Sequence, residues 1–293
     1  MGMVPGFDYD SAFSRNLGLI SPQEQQRLRH CRVAIAGLGG VGGAHVLTHV
    51  RMGIGKFHLA DFDTFEVHNF NRQAGATMSS LNQEKVEVMR KMALDINPEA
   101  EVEIWKEGIK PENIDAFLAG VDLMVDGLDF FAVGAREMLY RETRARGIPV
   151  VAAGPIGAGV SLTVFVPNGM SWHEFFGMAM AKNELEKYLL FYLGNAPTDL
   201  HGAYIDRSYI KLAERKGPSL GLATQLCSGM AAAESMKLLL GRGNVFAAPL
   251  YHQFDAYRGI YRRAKLRWGN RGPLQRLKFI LARKKFAAML AHQ

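Results

Sequence analysis

The chain is predicted to be an α/β protein with a Rossmann-like, mostly parallel sheet and flanking helices. Two observations carry that expectation. Val33-Ala34-Ile35-Ala36 runs straight into Gly37-Leu38-Gly39-Gly40-Val41-Gly42, and short apolar runs alternate with helical patterns from there to Gly241. Arg32 to Ala36 reads as a strand, the glycines as the turn after it, and Val41 to about Met52 as a helix. Lys56 to Ala60 is the second strand, with Asp61 near the spacing of a ribose-binding carboxylate. Ser79 and Ser80 are candidate N-caps for a helix with Val86, Met89, Ala93 and Ile96 on its apolar face, closed by Asn97-Pro98. Val102 to Trp105 and Val121 to Val125 read as strands, the second ending at Asp126-Gly127-Leu128-Asp129. A helix to Arg146 and a strand from Pro149 to Ala153 continue the alternation. The longest apolar run, Val150 to Val166, is broken by Gly154, Pro155, Gly157 and Gly159, so it reads as strand, turn, strand and not as a membrane span. Leu222, Leu226, Met230, Ala233 and Met236 mark a last helix that stops at Gly241.

Composition excludes several classes. With 293 residues, 48% hydrophobic and 22% charged, the chain is neither disordered nor fibrous. Two cysteines, Cys31 and Cys227, cannot build a disulfide framework or a four-cysteine zinc site, and Met1 to Asp10 has no basic signal region, so a cytoplasmic setting is expected. The formal charge of +7 is uneven: Arg258 to Gln293 holds eleven Lys and Arg and no Asp or Glu. Residues 1–257 are therefore read as the nucleotide-binding domain and 258–293 as a basic tail, either solvated or suited to nucleic acid, anionic lipid or an acidic partner. Leu274, Leu277 and Leu281 share one helical face while Phe279, Phe286 and Leu290 lie on another, so no single amphipathic stripe emerges.

Glycines at 37, 39 and 42 permit a tight turn and bring backbone amides to phosphate oxygens at a helix start. That pattern alone fits NAD, FAD, SAM or ATP, or mere close packing of helix on strand. The residues that follow discriminate: Asp61, Asp63, Asn69, Asn71, Arg72, Gln73, then Lys85 and Asp129. Hydride transfer needs no gathering of cations. Attack of a carboxylate on the α-phosphate of ATP does, because two anions repel until Arg, Lys or Mg²⁺ spread the charge. The helix N-terminus supplies only about half an elementary charge. Each Arg or Lys taken singly is more often a surface ion pair; together they favour a triphosphate site, with Asp129 as a hard oxygen ligand for Mg²⁺.

The GxGGxG loop, the D-F-D at a strand end, the N-x-N-R-Q segment, the lysine opening the next helix and the aspartate after Val121 to Val125 resemble the ThiF/MoeB/HesA family, relatives of the ubiquitin-activating enzymes. Phe13-Ser14-Arg15-Asn16 is similar to the family's N-terminal arginine segment, and Ala232 to Lys237 to its late helix. The resemblance covers about Arg15 to Gly241 and is sparse between Ser171 and Pro218. It implies a homodimer with ATP over Gly37, Gly39, Gly40 and Gly42. Asp61, with Asp63 beside it, would meet the ribose, Asn69, Arg72 and Lys85 the phosphates, Asp129 the Mg²⁺, and Arg15 the phosphates of the other subunit's ATP. The implied reaction is adenylation of a carboxylate with loss of pyrophosphate, with Arg15, Arg72, Lys85 and Asp129 as catalytic residues. The carboxylate would belong to a ubiquitin-like sulfur carrier, a peptide or a modified tRNA base, recognised through the divergent segment 171–220. The basic tail would suit an acidic carrier or RNA equally.

Two departures refine the implied chemistry. The chain lacks paired C-x-x-C motifs, and Ser171 to Leu220 contains no cysteine, so adenylation is expected without a covalent thioester. Phe130 stands where the family often has asparagine. The rival readings are an NAD-dependent oxidoreductase on the same fold, for which no general acid or base can be nominated, and a non-catalytic nucleotide-binding member. Gly217-Pro218-Ser219-Leu220-Gly221 matches a hydrolase elbow, but Tyr209 to Lys216 reads as a charged helix where the elbow needs a strand. His45 and His49 have metal-binding spacing without a third ligand. Trp172, His173, Phe175 and Phe176 are either core or a substrate-contacting lid.

Overall fold

The computed structural model describes residues 6–210 and 214–291, with side chains through 284. Two helices open it, α1 (Tyr9–Ala12) and α2 (Pro22–His30), the second closed at its start by a reciprocal Ser21–Glu24 capping box. Strands and helices then alternate: β1 (Arg32–Ala36), α3 (Gly42–Arg51), β2 (Lys56–Ala60), α4 (Lys85–Ile96) and β3 (Glu101–Trp105). The alternation continues through α5 (Ile114–Leu118), β4 (Leu123–Asp126), α6 (Val133–Ala145) and β5 (Val150–Ile156). β6 (Gly159–Phe165) turns back and leads to α7 (Trp172–Phe176), α8 (Glu184–Asn195) and α9 (Gly221–Leu240). β7 (Leu250–Asp255), β8 (Ile260–Lys265) and α10 (Pro273–Ala291) complete the order.

The eight strands form one sheet in the order β3-β2-β1-β4-β5-β6-β7-β8. The pairs from β3 to β5 are parallel and those from β5 to β8 antiparallel. Ala36 is in register with Ala60 on one side and Asp126 on the other, so the carboxyl ends of β1, β2 and β4 finish level. Strand order reverses at β1 and β4, the position at which open α/β sheets bind ligands beyond the strand ends. Alternate residues of β1 feed separate cores. Val33 and Ile35 pack with Phe57, Leu59, Met89 and Cys227 on one face, and Ala34 and Ala36 with Met124, Phe117 and Tyr140 on the other. Burial on both faces explains why these strands read as continuous apolar runs.

Three expectations need correction, and one open alternative is resolved. α4 begins at Lys85, not after Ser79 or Ser80: those serines belong to a single 3₁₀ turn, and Asn82, at φ 63°, breaks any continuous helix from there. The basic segment expected as a tail is built into the body instead, with β8 as the edge strand and Phe279 of α10 buried. Tyr209 to Lys216 is not a helix where described: Arg207–Tyr209 is one 3₁₀ turn, Glu214 and Arg215 form a turn, and residues 211–213 lie outside the described residues. No strand among the described residues leads into Ser219, so the elbow motif is not one. Trp172, Phe175 and Phe176 are core, packed against Phe165 and Phe191, and do not form a lid. Among the described residues no helix is long and apolar enough to cross a membrane.

Candidate functional site

The glycines after β1 fall into two groups. Gly37, at φ 83°, donates its N–H to the Ala60 carbonyl at 2.8 Å. A Cβ on Gly37 would stand 2.4 Å from the Gly127 carbonyl oxygen, one on Gly42 would stand 1.8 Å from that of Gly37, and one on Gly127 2.2 Å from that of Gly37. These three glycines are required by the chain itself, where the exits of β1 and β4 meet the first turn of α3. Gly127 was not singled out from the sequence; the Asp-Gly step closing a buried strand was the available signal. Gly39 and Gly40 differ. A Cβ there would meet nothing nearer than Gln73 Nε2 at 3.8 Å and Thr224 Cγ2 at 3.6 Å, ordinary contact distances. Their bareness is therefore not demanded by the fold. It leaves a flat floor of backbone at the start of α3, beside Arg72, Gln73 and Thr224, that a side chain would fill.

Asp61 ties this floor to β2. One carboxylate oxygen accepts from the Leu38 N–H at 2.6 Å and the other from the Asp63 N–H at 2.8 Å. Burial raises its pKa while the two backbone bonds oppose the rise. Lys85 opens α4 as expected and is buried, its ammonium 2.9 Å from the Asp63 carboxylate. Asp63 thus serves as the anchor of Lys85. Asn69 is buried and accepts from the Glu66 N–H, shaping the turn that carries Arg72. The Arg72 guanidinium donates to the His68 carbonyl and the Asn71 side chain, each at 2.9 Å. Burial lowers its pKa and the charge of Asp129 opposes that shift, so the two groups lie within electrostatic reach of each other. Asn71 donates to the Ser219 carbonyl, and Thr224 to that of Arg72, which clamps this segment to the start of α9.

Asp129 is exposed, one carboxylate oxygen accepting from the Phe131 N–H at 2.9 Å. Its loop is held from below by Arg136, which sequence reasoning missed. Arg136 is 3% exposed; it pairs with Asp126 at 2.7 Å and donates to the Leu128 and Asp129 carbonyls. Tyr140 donates to the same Asp126 carboxylate, and the guanidinium stacks 4.5 Å from the Phe191 ring centre. Phe130 packs 5.1 Å from Phe191, so the position that departs from the family pattern joins the Asp129 loop to α8 of the divergent segment.

Among the described residues no group of three or more His, Cys, Asp or Glu is placed to hold a metal. A lone exposed Asp129 still fits Mg²⁺ delivered with a nucleotide, since that ion takes one or two carboxylates and completes its shell with phosphates and water. His45 and His49 are fully buried, and burial lowers their pKa values to about 3 and about 4. His49 donates from Nδ1 to the His45 carbonyl and accepts at Nε2 from Ser235, so the pair is core and not a metal site. Cys31 and Cys227 are buried, and desolvation raises both thiols, the first to about 11. Arg15, exposed in the 3₁₀ turn Ser14–Asn16, makes no hydrogen bond or ion pair among the described residues.

The model of the ThiF family matches residues 13–272. The chain is 34% identical over 142 residues to the tRNA threonylcarbamoyladenosine dehydratase of Bacillus subtilis (strain 168), covering 48% of this chain and 55% of that one. It is 31% identical over 163 residues to the molybdopterin-synthase adenylyltransferase of Escherichia coli (strain K12), covering 56% and 59%. The matches thus span little more than half the length of these curated relatives. Among solved structures, E. coli MccB with ATP superposes with a TM-score of 0.65 at 17% identity, covering 90% of this chain and 74% of that one. E. coli TcdA, a tRNA N6-threonylcarbamoyladenosine dehydratase, gives 0.58 at 21% identity, covering 79% and 95%. The likeness to both is one of fold.

Proposed function

We propose, from the premise that this chain belongs to the ThiF family, that it is an ATP-dependent adenylyltransferase that activates a carboxylate without forming a covalent thioester. One observation carries the reading: a glycine floor that the fold does not require lies at the start of α3, beside the Arg72 side chain. Backbone N–H groups at Gly39 and Gly40 would approach the phosphates, where the α3 dipole favours anions. Arg72 and Lys85 would draw charge off the α-phosphate as the carboxylate oxygen attacks it and pyrophosphate leaves. Asp61 would offer its remaining lone pairs to the ribose. Asp129 would hold Mg²⁺, which neutralises charge between the phosphates. Arg15 is exposed, has no hydrogen bond or ion pair among the described residues, and would reach the site of a second copy in a homodimer.

The second half of the reaction follows from the cysteines. Both thiols are buried and held protonated, so neither can take the acyl group. The acyl carbon is then attacked by a nucleophile from outside the enzyme, and AMP leaves with the former carboxylate oxygen. Where that nucleophile belongs to the same substrate molecule, the net change is loss of the elements of water. That outcome accords with the dehydratase named among the relatives and favours an RNA-borne carboxylate over a carrier protein or peptide.

ATP–pyrophosphate exchange tests the reading, with threonylcarbamoyladenosine-bearing tRNA, a ubiquitin-like carrier with a free C-terminus, and a short peptide as candidate carboxylates. One of them should support exchange, and Arg72→Ala or Lys85→Ala should lower it by roughly 100-fold. Exchange with none of the three, or a thermal shift on adding NAD but not ATP and Mg²⁺, would sink it.

A further inference from the structure

α10 is apolar on two faces, and only one is covered. Phe279 and Gln275 point into the body and are 6% and 3% exposed. Gln275 donates to the Leu193 carbonyl at 3.0 Å and Lys278 to that of Pro197 at 2.6 Å, which fixes the rotation of the helix. At 3.6 residues per turn, Leu274, Leu277, Ile280 and Leu281 occupy roughly the opposite third of the circumference. They are 65%, 53%, 45% and 57% exposed. In the turn before the helix Trp268 is 55% exposed, with the Arg267 guanidinium over its ring. Single exposed aliphatic side chains are ordinary; three leucines and an isoleucine on one stripe of a helix held in place from behind mark a contact surface.

The surrounding charge decides what that surface fits. The sequence after Asp255 contains no acidic residue. Arg267, Arg271, Arg276 and Lys284 are exposed. Arg267, Arg276 and Lys284 make no ion pair among the described residues, while Arg271 lies within electrostatic reach of Glu174 and Arg283 pairs with Glu186 at 3.5 Å. A second copy of this face would set positive charge against positive charge. RNA would engage the arginines and leave the leucines in water. An anionic bilayer surface satisfies both, taking leucines at the acyl boundary, cations at the headgroups and tryptophan between them.

We propose that α10 is an interfacial anchor that seats the protein on an anionic lipid surface through Leu274, Leu277, Ile280 and Leu281, with the flanking arginines and Lys284 on the headgroups. The contact is independent of the adenylation chemistry. Co-sedimentation of the full chain with phosphatidylcholine vesicles, with and without phosphatidylglycerol, tests it. The protein should pellet only with the anionic vesicles, less so at high salt. Leu277→Glu/Leu281→Glu should weaken that partitioning by roughly tenfold or more, and Arg276→Glu/Lys284→Glu should weaken it too, both variants keeping the parent's thermal unfolding and ATP binding. Three results would overturn the proposal: no partitioning onto anionic vesicles, partitioning unchanged in the leucine variant, or leucine-dependent self-association without lipid. Retention on RNA by a protein that ignores vesicles would also overturn it and reassign the face.

Discussion

Lys85 and the histidines of α3 are buried in different company. Lys85 lies 2.9 Å from the Asp63 carboxylate. His45 and His49 face no carboxylate, so desolvation holds them neutral, with pKa values of about 3 and about 4 against the ordinary 6.5. Below pH 6.5 the unfolded chain takes up protons that the folded chain refuses. Stability is therefore intact above pH 6.5 and is lost as pH falls toward 4, at about 1.4 kcal/mol per pH unit for each histidine. Urea unfolding at pH 7 and pH 5 should show this loss, and His49→Gln should flatten its slope whatever it does to stability at pH 7. An unchanged slope would remove these histidines from the acid response. At this scale type and spacing were enough to nominate Asp61, Arg72, Lys85 and Asp129, whose roles rest on the proposed function. The sequence was silent on Arg136, because nothing along α6 announces that its side chain reaches back to Asp126 and the Asp129 carbonyl.

Among elements, the β1–loop–α3 unit makes a sharp prediction, because its glycines have different reasons to be bare. Gly42→Ala forces a Cβ to within 1.8 Å of a backbone oxygen, whereas Gly39→Ala meets nothing nearer than 3.8 Å. Gly42→Ala should lower the unfolding temperature sharply or prevent folding. Gly39→Ala should unfold like the parent yet bind ATP at least roughly tenfold more weakly, since its methyl group lies where the phosphates would approach. Calorimetry and nucleotide titration separate the two, and equal destabilisation by both would contradict this division. Helix starts were less legible than helices. The apolar period of α4 was plain, but its first residue was set by the left-handed Asn82 and by the Asp63 carbonyl, which accepts the Lys85 N–H. The two apolar faces of α10 blurred its period for the same kind of reason: one faces α8 and the other faces outward.

Across the whole molecule, the divergent segment is fastened to the Asp129 loop and the helix after it. Phe130 packs on Phe191, Phe131 meets Tyr188 edge-on at 5.2 Å, and Glu137 pairs with Lys187 at 2.6 Å. Movement of α8 on binding substrate would therefore be felt at Asp129. The proposed homodimer has its own test in mixed protomers. Arg15→Ala and Arg72→Ala should each be nearly inactive alone. In a mixed dimer one site carries both defects and the other carries neither, so unfolding and refolding the variants together should restore about a quarter of the parent's activity. No recovery, with mixed dimers shown to form, would place Arg15 in its own subunit's site or outside the chemistry. Local pattern was enough for the α/β class and the glycine turn, because periodicity and turn chemistry act over a few neighbouring residues. Three features were decided only in the folded chain: that Gly127 must be glycine, that Phe130 serves packing, and that β8 (Ile260–Lys265) joins the sheet while α10 leaves Leu274, Leu277, Ile280 and Leu281 bare. Each depends on which distant segment lies against it, and that is settled by the closing of the sheet and its two cores.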